Sequence, residues 1–378
     1  MTAAPDRCPG VFRTHTAADG ELARIRVPGG VIDAPALEAL AGAAEEFGDG
    51  AVEITVRGNL QVRGIAADAV PAFAAAMSAA GLTADAEHDR VRNVALSPLT
   101  GRVGGLADLR GIARELDRSL RGDTGIVGLS GRFWFGLDDG RGDVLSRRPD
   151  VTALAVDGQT AVLVIDGQQA GPARPLAALP EIMPALARTF LSLAEGRWRI
   201  ADLPGPLRAE LLDAAGGATG GASPVSAAPE PRVGWFDQHD GAVLLGAVVP
   251  FGRLTGEQAR FAAAVGGPVI ITAERELLLP DLTEPVAETV VRVLAPRGFV
   301  FDANSPWTRV TACTGAPGCA QSHADVRTDL AAHVASAAAA GSELLVEHWV
   351  GCRRGCGSPA RPHLRVEASL DGYRRSPR

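Results

Sequence analysis

The chain contains no lysine. All 37 basic residues among its 378 are arginine, so any site that needs a fixed cation must use a guanidinium, whose planar fork suits bidentate binding of carboxylates. Arginine-only usage beside 45 glycines, 26 prolines and abundant alanine is also what a GC-rich coding sequence produces. That compositional reading stands next to the functional one. Positive charge is in deficit: 44 acidic residues leave a net charge of −7, which excludes a general nucleic-acid binder, whose footprint would be basic. Long apolar runs are missing too. No stretch approaches the ~20 consecutive apolar residues of a membrane span, and the opening MTAAPDRCPGVFR lacks the basic-then-apolar order of a secretory signal. The expectation is a protein without membrane association and with a cytoplasmic location. There thiols stay reduced, and paired cysteines bind metals more often than each other.

What is present is a repeat. The segment GGVIDAPALEALAGAAEEFGDGAVEITVRGNLQVRGI is followed by AADAVPAFAAAMSAAGL, and the segment GRLTGEQARFAAAVGGPVIITAERELLLPDL by TEPVAETVVRVLAPRGF. Each reads as strand, turn, Ala-rich amphipathic helix, a hairpin beginning Ile-Thr, and a second helix, the apolar period switching from about 3.6 to about 2 at the hairpin. Laying Ile54 on Ile271 places Thr55 on Thr272 and Leu60 on Leu277. The pattern is a split βαβ, ferredoxin-like half occurring twice. The fold class expected is α+β: duplicated ferredoxin-like half-domains alternating with two α/β segments about a pseudo-twofold axis. The expected boundaries are 1–88 for the first half-domain, 89–212 for the first α/β domain, 213–232 for a Gly/Ser/Pro-rich linker, 233–298 for the second half-domain and 299–378 for the last α/β segment.

Cysteine is scarce, with five in all, and four fall in that last segment. Cys313 and Cys319 form C-x5-C; Cys352 and Cys356, in VGCRRGCGSP, form C-x3-C. Neither spacing is the two-residue knuckle common in structural zinc sites. Four thiolates flanked by glycines suit an iron–sulfur cube, because the N–H groups of Gly-rich turns can hydrogen-bond its sulfurs. Zinc, and no metal at all, remain alternatives on spacing alone. Cys8 has no partner nearby in sequence and reads as a small buried thiol.

Together, the two cysteine pairs, the repeated half-domain and the hairpin EITVRGNLQVRGI resemble the sulfite and nitrite reductase superfamily. In that family the hairpin reads like TTRQTFQFHGI, and the resemblance implies that Cys313, Cys319, Cys352 and Cys356 hold a [4Fe–4S] cluster, the last cysteine bridging to the iron of sirohaem. Arg57 falls on the family's hairpin arginine and Arg92 on the arginine of its RNV segment. The family's PRKFK box appears as SGRFW, residues 130–134, with Arg132 at the first lysine position and Trp134 at the second. Arg63 replaces the hairpin histidine. Losing a cation that stabilises a highly charged intermediate is severe, at roughly 3 kcal/mol for such electrostatic terms, so Trp134 speaks against sulfite or nitrite reduction.

The chain length and the opening RCPGVFRTHTAADGELARIRVPGG resemble the precorrin-3B synthases, the superfamily branch of aerobic cobalamin biosynthesis. That resemblance implies use of dioxygen to hydroxylate precorrin-3A at C20 with closure of a γ-lactone. The electron donor would be NADH acting through a reductase, or a ferredoxin-like protein. The arginines would then clamp substrate carboxylates, and a Trp suits a flat apolar macrocycle. Arg57, Asn59, Gln61 and Arg63 alternate along the hairpin, which would put them on one strand face, and with Arg92, Arg132 and Trp134 they form the expected substrate-binding set. The family is also associated with a mononuclear non-haem iron. The seven histidines (His15, His88, His239, His323, His333, His348 and His363) show no facial triad with a carboxylate that would place it. His323 is expected on the helix AQSHADVRTDLAAHV, and His348 on a strand as a structural residue. Asn304 and Trp307 read either as the mouth of the thiol loop or as a plain Asn-Ser-Pro turn. The alternative function is a sirohaem-containing sulfite or nitrite reductase. A non-catalytic protein with a structural metal site is the reading from another class.

Overall fold

A computed structural model describes residues 6–219 and 231–378. The described residues fall into two compact units. The first takes in 6–13, 25–31 and 81–219; the second takes in 14–24, 32–80 and 231–378. The architecture is mixed α+β throughout.

The second unit contains the repeat. One sheet has the strand order His15–Ala17, Gly20–Ile25, Leu60–Ile65, Ala51–Ile54, Arg253–Thr255; the other runs Gly234–Asp237, Val243–Val248, Glu276–Leu282, Val269–Ile271, Val31–Ile32. The two orders are the same, and in each the fifth strand comes from the other copy. Arg253, Leu254 and Thr255 pair antiparallel with Glu53, Val52 and Ala51. The exchange starts at matching turns, Pro28-Gly29-Gly30 and Pro250-Phe251-Gly252. Both central residues of each turn hold positive φ, +70° and +72° in the first, +64° and +65° in the second. Such dihedrals turn the chain sharply, and Phe251 adopts one despite its side chain. Neither half-domain is therefore closed within its own stretch of sequence, and compactness does not follow the expected linear segments. Of the expected linker, 220–230 lies outside the described residues, and the helix Gly205–Ala214 reaches into its start.

The hairpin turns confirm the alignment of the two copies. The Thr55 N–H donates to the Asn59 carbonyl at 2.8 Å and the Thr272 N–H to the Glu276 carbonyl at 3.0 Å. Each threonine hydroxyl accepts the returning N–H at 3.1 Å, from Asn59 and from Glu276. Gly58 and Arg275 occupy the same place in these turns, at φ +64° and +65°. The turns also meet: a Cβ on Gly58 would sit 3.2 Å from the Ile271 carbonyl oxygen.

The chain then forms a four-stranded sheet in the order Val310–Ala312, Glu347–Val350, Leu364–Ser369, Gly372–Pro377, its first two pairings parallel and the last antiparallel. The helix Val326–Ala340 packs on it through Val326, Leu330 and Val334. Asp325 starts the helix by accepting the Thr328 N–H at 3.2 Å, and Gly341 ends it in the left-handed region at φ +62°. His323 consequently precedes the helix, contrary to expectation, because the cap at Asp325 sets a later start. His348 lies on a strand and is fully buried.

The first unit is a five-stranded sheet in the order Gln168–Pro175, Thr160–Ile165, Val151–Ala155, Phe135–Asp138, Val94–Leu96. The helices Arg110–Gly122, Leu179–Ala194 and Gly205–Ala214 contribute to its apolar core. The stretch Leu176–Ala194 is long and apolar enough to cross a membrane by length and composition. It carries Glu181 and Arg188, however, and buries Leu179, Met183, Leu186 and Phe190 in this core.

Candidate functional site

The two thiol loops leave the ends of adjacent parallel strands, Val310–Ala312 and Glu347–Val350. That placement by itself brings distant cysteines together. The Cys313 N–H donates to the Trp349 carbonyl at 2.9 Å, the His323 N–H to the Gly351 carbonyl at 2.8 Å, and the Gly351 N–H to Cys313 Sγ at 3.3 Å. Gly315, at φ +72°, lets the first loop turn against Val326, where a Cβ would come within 2.8 Å of the Val326 side chain. Gly355 and Gly357 turn the second loop at φ +62° and +79°.

Buried polar side chains hold the loops from below. Arg63 grips both Asp19 carboxylate oxygens at 2.9 Å and donates to the Gly318 carbonyl at 2.8 Å. Arg365 donates to the Cys352 carbonyl at 3.2 Å, and Arg275 to the Gly357 carbonyl at 2.9 Å. His348 lies between Thr311, whose hydroxyl is 2.8 Å from Nδ1, and the Cys356 carbonyl, 3.0 Å from Nε2. Because a carbonyl only accepts, Nε2 carries the proton and Nδ1 accepts from the threonine. Burial, with Arg275 beside it, pushes His348 down to about 3, so the ring is neutral.

Burial pushes the Cys313 thiol up, and Cys319 and Cys352 add to the shift. Burial likewise raises Cys356, helped by Cys313, Cys352 and Cys319. The four thiols are thus near enough to feel one another's charge. Tetrahedral zinc, with Zn–S of about 2.3 Å, would draw the sulfurs to within ~3.8 Å of each other. Among the described residues, the trio of potential ligands whose atoms all fall within 4.8 Å is Asp138, Asp139 and Asp143, and no three of the thiols meet that limit. The Gly351 N–H on Cys313 Sγ is a backbone donor of the kind that metal-bound or cluster-bound sulfur accepts. The aspartate trio is already occupied by its own loop. Asp138 accepts four backbone N–H groups, Asp139 pairs with Arg141, and Asp143 accepts from Ser97.

The other expected site residues divide between the units. In the second, Arg57 and Asn59 belong to the hairpin turn and only Gln61 and Arg63 to the strand, so the four do not share one strand face. Gln61 donates to Glu53 at 2.7 Å and accepts from Arg24 at 3.0 Å. In the first unit, Arg92 is 2% exposed and forms a two-point pair with Asp117 at 2.7 and 3.0 Å. Arg132 is exposed and stacks 4.4 Å over the Trp198 ring. Trp134 is 5% exposed and its backbone N–H donates to Asp150 at 2.9 Å. Trp307 packs edge-on against Phe251 at 5.2 Å. These two rings, with Arg275, Thr311 and Arg361, line a pocket of about 30 Å³, room for a water and not for a macrocycle.

Sequence reasoning missed Asp19, Glu53, Arg275 and Arg327. Arg275 alone left a trace, since the alignment that sets it on Gly58 puts a side chain where a left-handed turn favours glycine. Burial, against the pull of Glu53, depresses Arg275 to about 10. If Arg63 is a brace for the thiol loop, Arg63→Met should lower the unfolding free energy by about 2–3 kcal/mol, because the buried guanidinium loses its two bonds to Asp19 and the one to the Gly318 carbonyl. A chemical denaturation curve measures this, and an unchanged midpoint would leave Arg63 free for another role.

Comparison with known proteins agrees with this architecture. Residues 15–80 match the nitrite/sulfite reductase ferredoxin-like half domain. A precorrin-3B synthase from a Sinorhizobium species is 28% identical, the alignment covering 97% of this chain and 81% of that protein. A ferredoxin–nitrite reductase from Synechococcus elongatus is also 28% identical, with coverage of 93% and 76%. Both relatives are oxidoreductases. Among solved structures, the NirA protein of Mycobacterium tuberculosis superposes with a TM-score of 0.75 at 20% identity, covering 94% of this chain and 73% of that one. The chain is therefore similar to a precorrin-3B synthase and to nitrite reductases, and its architecture is that of the sulfite/nitrite reductase-like proteins.

Proposed function

We propose that the protein is an iron–sulfur oxidoreductase of the precorrin-3B synthase type, hydroxylating precorrin-3A at C20 with dioxygen and closing the γ-lactone. The observation that carries the redox part is the convergence of Cys313, Cys319, Cys352 and Cys356 from two glycine-turned loops on adjacent strands. These four would hold a [4Fe–4S] cluster, which when bound supplies electrons singly. Arg63, Arg275, Arg365 and His348 keep the loops in place through the Gly318, Gly357, Cys352 and Cys356 carbonyls. A ferredoxin-like protein, or NADH through a reductase, would be the donor.

For the choice of branch, the support is Trp134 at a position where the reductases carry a lysine, and a relative of this type aligning over 97% of the chain. The substrate-binding set proposed is Arg57, Asn59, Gln61, Arg63, Arg92, Arg132 and Trp134. Within it Arg63 and Arg92 already hold Asp19 and Asp117, so a substrate carboxylate would have to compete with those pairs. Arg353 and Arg354, both exposed between Cys352 and Cys356, add two cations at the rim of the thiol loop.

The second reading, a sirohaem nitrite or sulfite reductase, is favoured by the equal identity of the Synechococcus elongatus relative. One preparation separates the two. Purified protein incubated with precorrin-3A and a reductant should form no product without oxygen and the hydroxylactone once air is admitted. Product formed anaerobically would overturn the proposal, and strong red visible bands of sirohaem would favour the reductase.

A further inference from the structure

Behind Cys313 lies a pair of aromatic rings that the substrate chemistry does not use. Trp349 is 5% exposed, and its carbonyl accepts the Cys313 N–H at 2.9 Å. Cys313, Trp349 and Tyr373 pack in the same apolar core. The Trp349 and Tyr373 rings are 4.8 Å apart between centroids, and Tyr373 lies on the outermost strand, half-buried. Each ring has a carboxylate on its acidic hydrogen. The Trp349 indole N–H donates to Glu347 Oε2 at 2.7 Å, and the Tyr373 hydroxyl to Asp329 Oδ2 at 2.5 Å. Glu347 is held in turn by Arg375 at 3.2 Å and His333 at 3.4 Å. An aromatic ring loses an electron far more readily when its proton can leave at the same time, and both rings here have a place to send it.

We propose that Trp349 and Tyr373 form a relay that carries single oxidising equivalents, delivered by a partly reduced oxygen species, away from the thiol loops to the protein surface. The inference rests on the dioxygen chemistry proposed above. A partly reduced oxygen species takes one electron from Trp349, whose indole proton moves to Glu347. The Trp349 radical then takes an electron from Tyr373 and recovers its proton from Glu347, while the phenol proton passes to Asp329. The net change is one electron and one proton lost from Tyr373, with the proton resting on Asp329. A soluble thiol or another small one-electron reductant returns the electron, and Asp329 returns the proton. The relay would thereby spare the cluster when oxygen reduction goes astray.

The chain has a single tyrosine, so any tyrosyl radical reports Tyr373 alone. Protein with its iron and sulfide counted is reduced anaerobically, mixed with hydrogen peroxide, frozen and examined by electron paramagnetic resonance. A tyrosyl signal is expected in the native protein and none in Tyr373→Phe. In Trp349→Phe, where the tyrosine remains, the signal should fall several-fold. In air the cluster absorbance of Tyr373→Phe should bleach several-fold faster than that of the native protein. Full cluster content without a tyrosyl signal, or a signal undiminished in Trp349→Phe, would overturn the relay while leaving the proposed function standing. Protein that assembles no cluster would overturn both.

Discussion

Cys319→Ser is expected to give a folded chain that holds almost no iron. In a [4Fe–4S] cube held by four cysteines each thiolate anchors one iron, and a serine hydroxyl is a hard, weakly acidic substitute. The loop itself does not depend on the sulfur. Its shape is kept by the Ala316 N–H on the Ala324 carbonyl at 3.0 Å, the Ser322 N–H on the Cys319 carbonyl at 3.0 Å, and Arg63 on the Gly318 carbonyl at 2.8 Å. All three survive the substitution. Iron and acid-labile sulfide should therefore drop from about four each per chain to well under half, with the broad visible absorption lost and the thermal midpoint of metal-free protein almost unmoved. Cys8→Ser is the control. Cys8 lies in the other unit, with its N–H on Asp6 Oδ1 at 2.9 Å, and its loss should leave iron and sulfide untouched. Equal iron in the two variants, or zinc in place of iron and sulfide in the native protein, would contradict the cluster assignment.

Local chemistry explains which parts of this arrangement could be read in advance. The repeat was legible because the Thr55 and Thr272 turns use the same side-chain bond and because each hairpin shows a period of about 2. The four thiols were legible because cysteine is rare and the two closely spaced pairs are flanked by glycines; that their loops leave neighbouring strands was not. Exchange of the edge strands was not. Pairing of Arg253 with Glu53 joins residues 200 positions apart, and nothing in the Val-Pro-Gly-Gly or Val-Pro-Phe-Gly turn says which sheet the next strand will enter. The helix that follows each turn also differs in length, 14 residues against 8, which blurs the match between copies. The arginines were hardest to sort, since a chain with 37 of them gives no hint which are buried. Arg63 looked available for substrate until Asp19, 44 residues away, proved to hold it. Trp134 read as a ring facing a ligand and is 5% exposed.

Glu53 shows what that hidden layer contributes, and its removal should have the largest effect on stability of any single polar change in the second unit. It is 5% exposed on the strand Ala51–Ile54 and is shared by three elements. Arg327 of the helix beside the thiol loops reaches it at 2.6 Å, Gln61 of the same hairpin at 2.7 Å, and Arg253 of the exchanged strand at 3.7 Å. Burial raises its carboxyl, but Arg327, Gln61 and Arg63 outweigh that and hold it below its ordinary value of 4.5. Glu53→Ala would leave Arg327, Arg253 and the buried Arg275 without their shared counter-charge. Breaking a buried pair from one side costs about 3–5 kcal/mol, and the denaturation midpoint should fall accordingly. Glu53→Gln keeps the shape and one hydrogen bond, so its loss should be smaller. The sign with pH follows from the lowered value. Because the unfolded chain takes up the proton first, native protein has the full contribution above 4.5 and loses it as pH falls through the folded value. Glu53→Gln has no such proton to bind, so the gap between it and the native protein should narrow on acidification, measured by denaturation at neutral and acid pH. A gap that stays constant would mean Glu53 acts through packing and not through its charge.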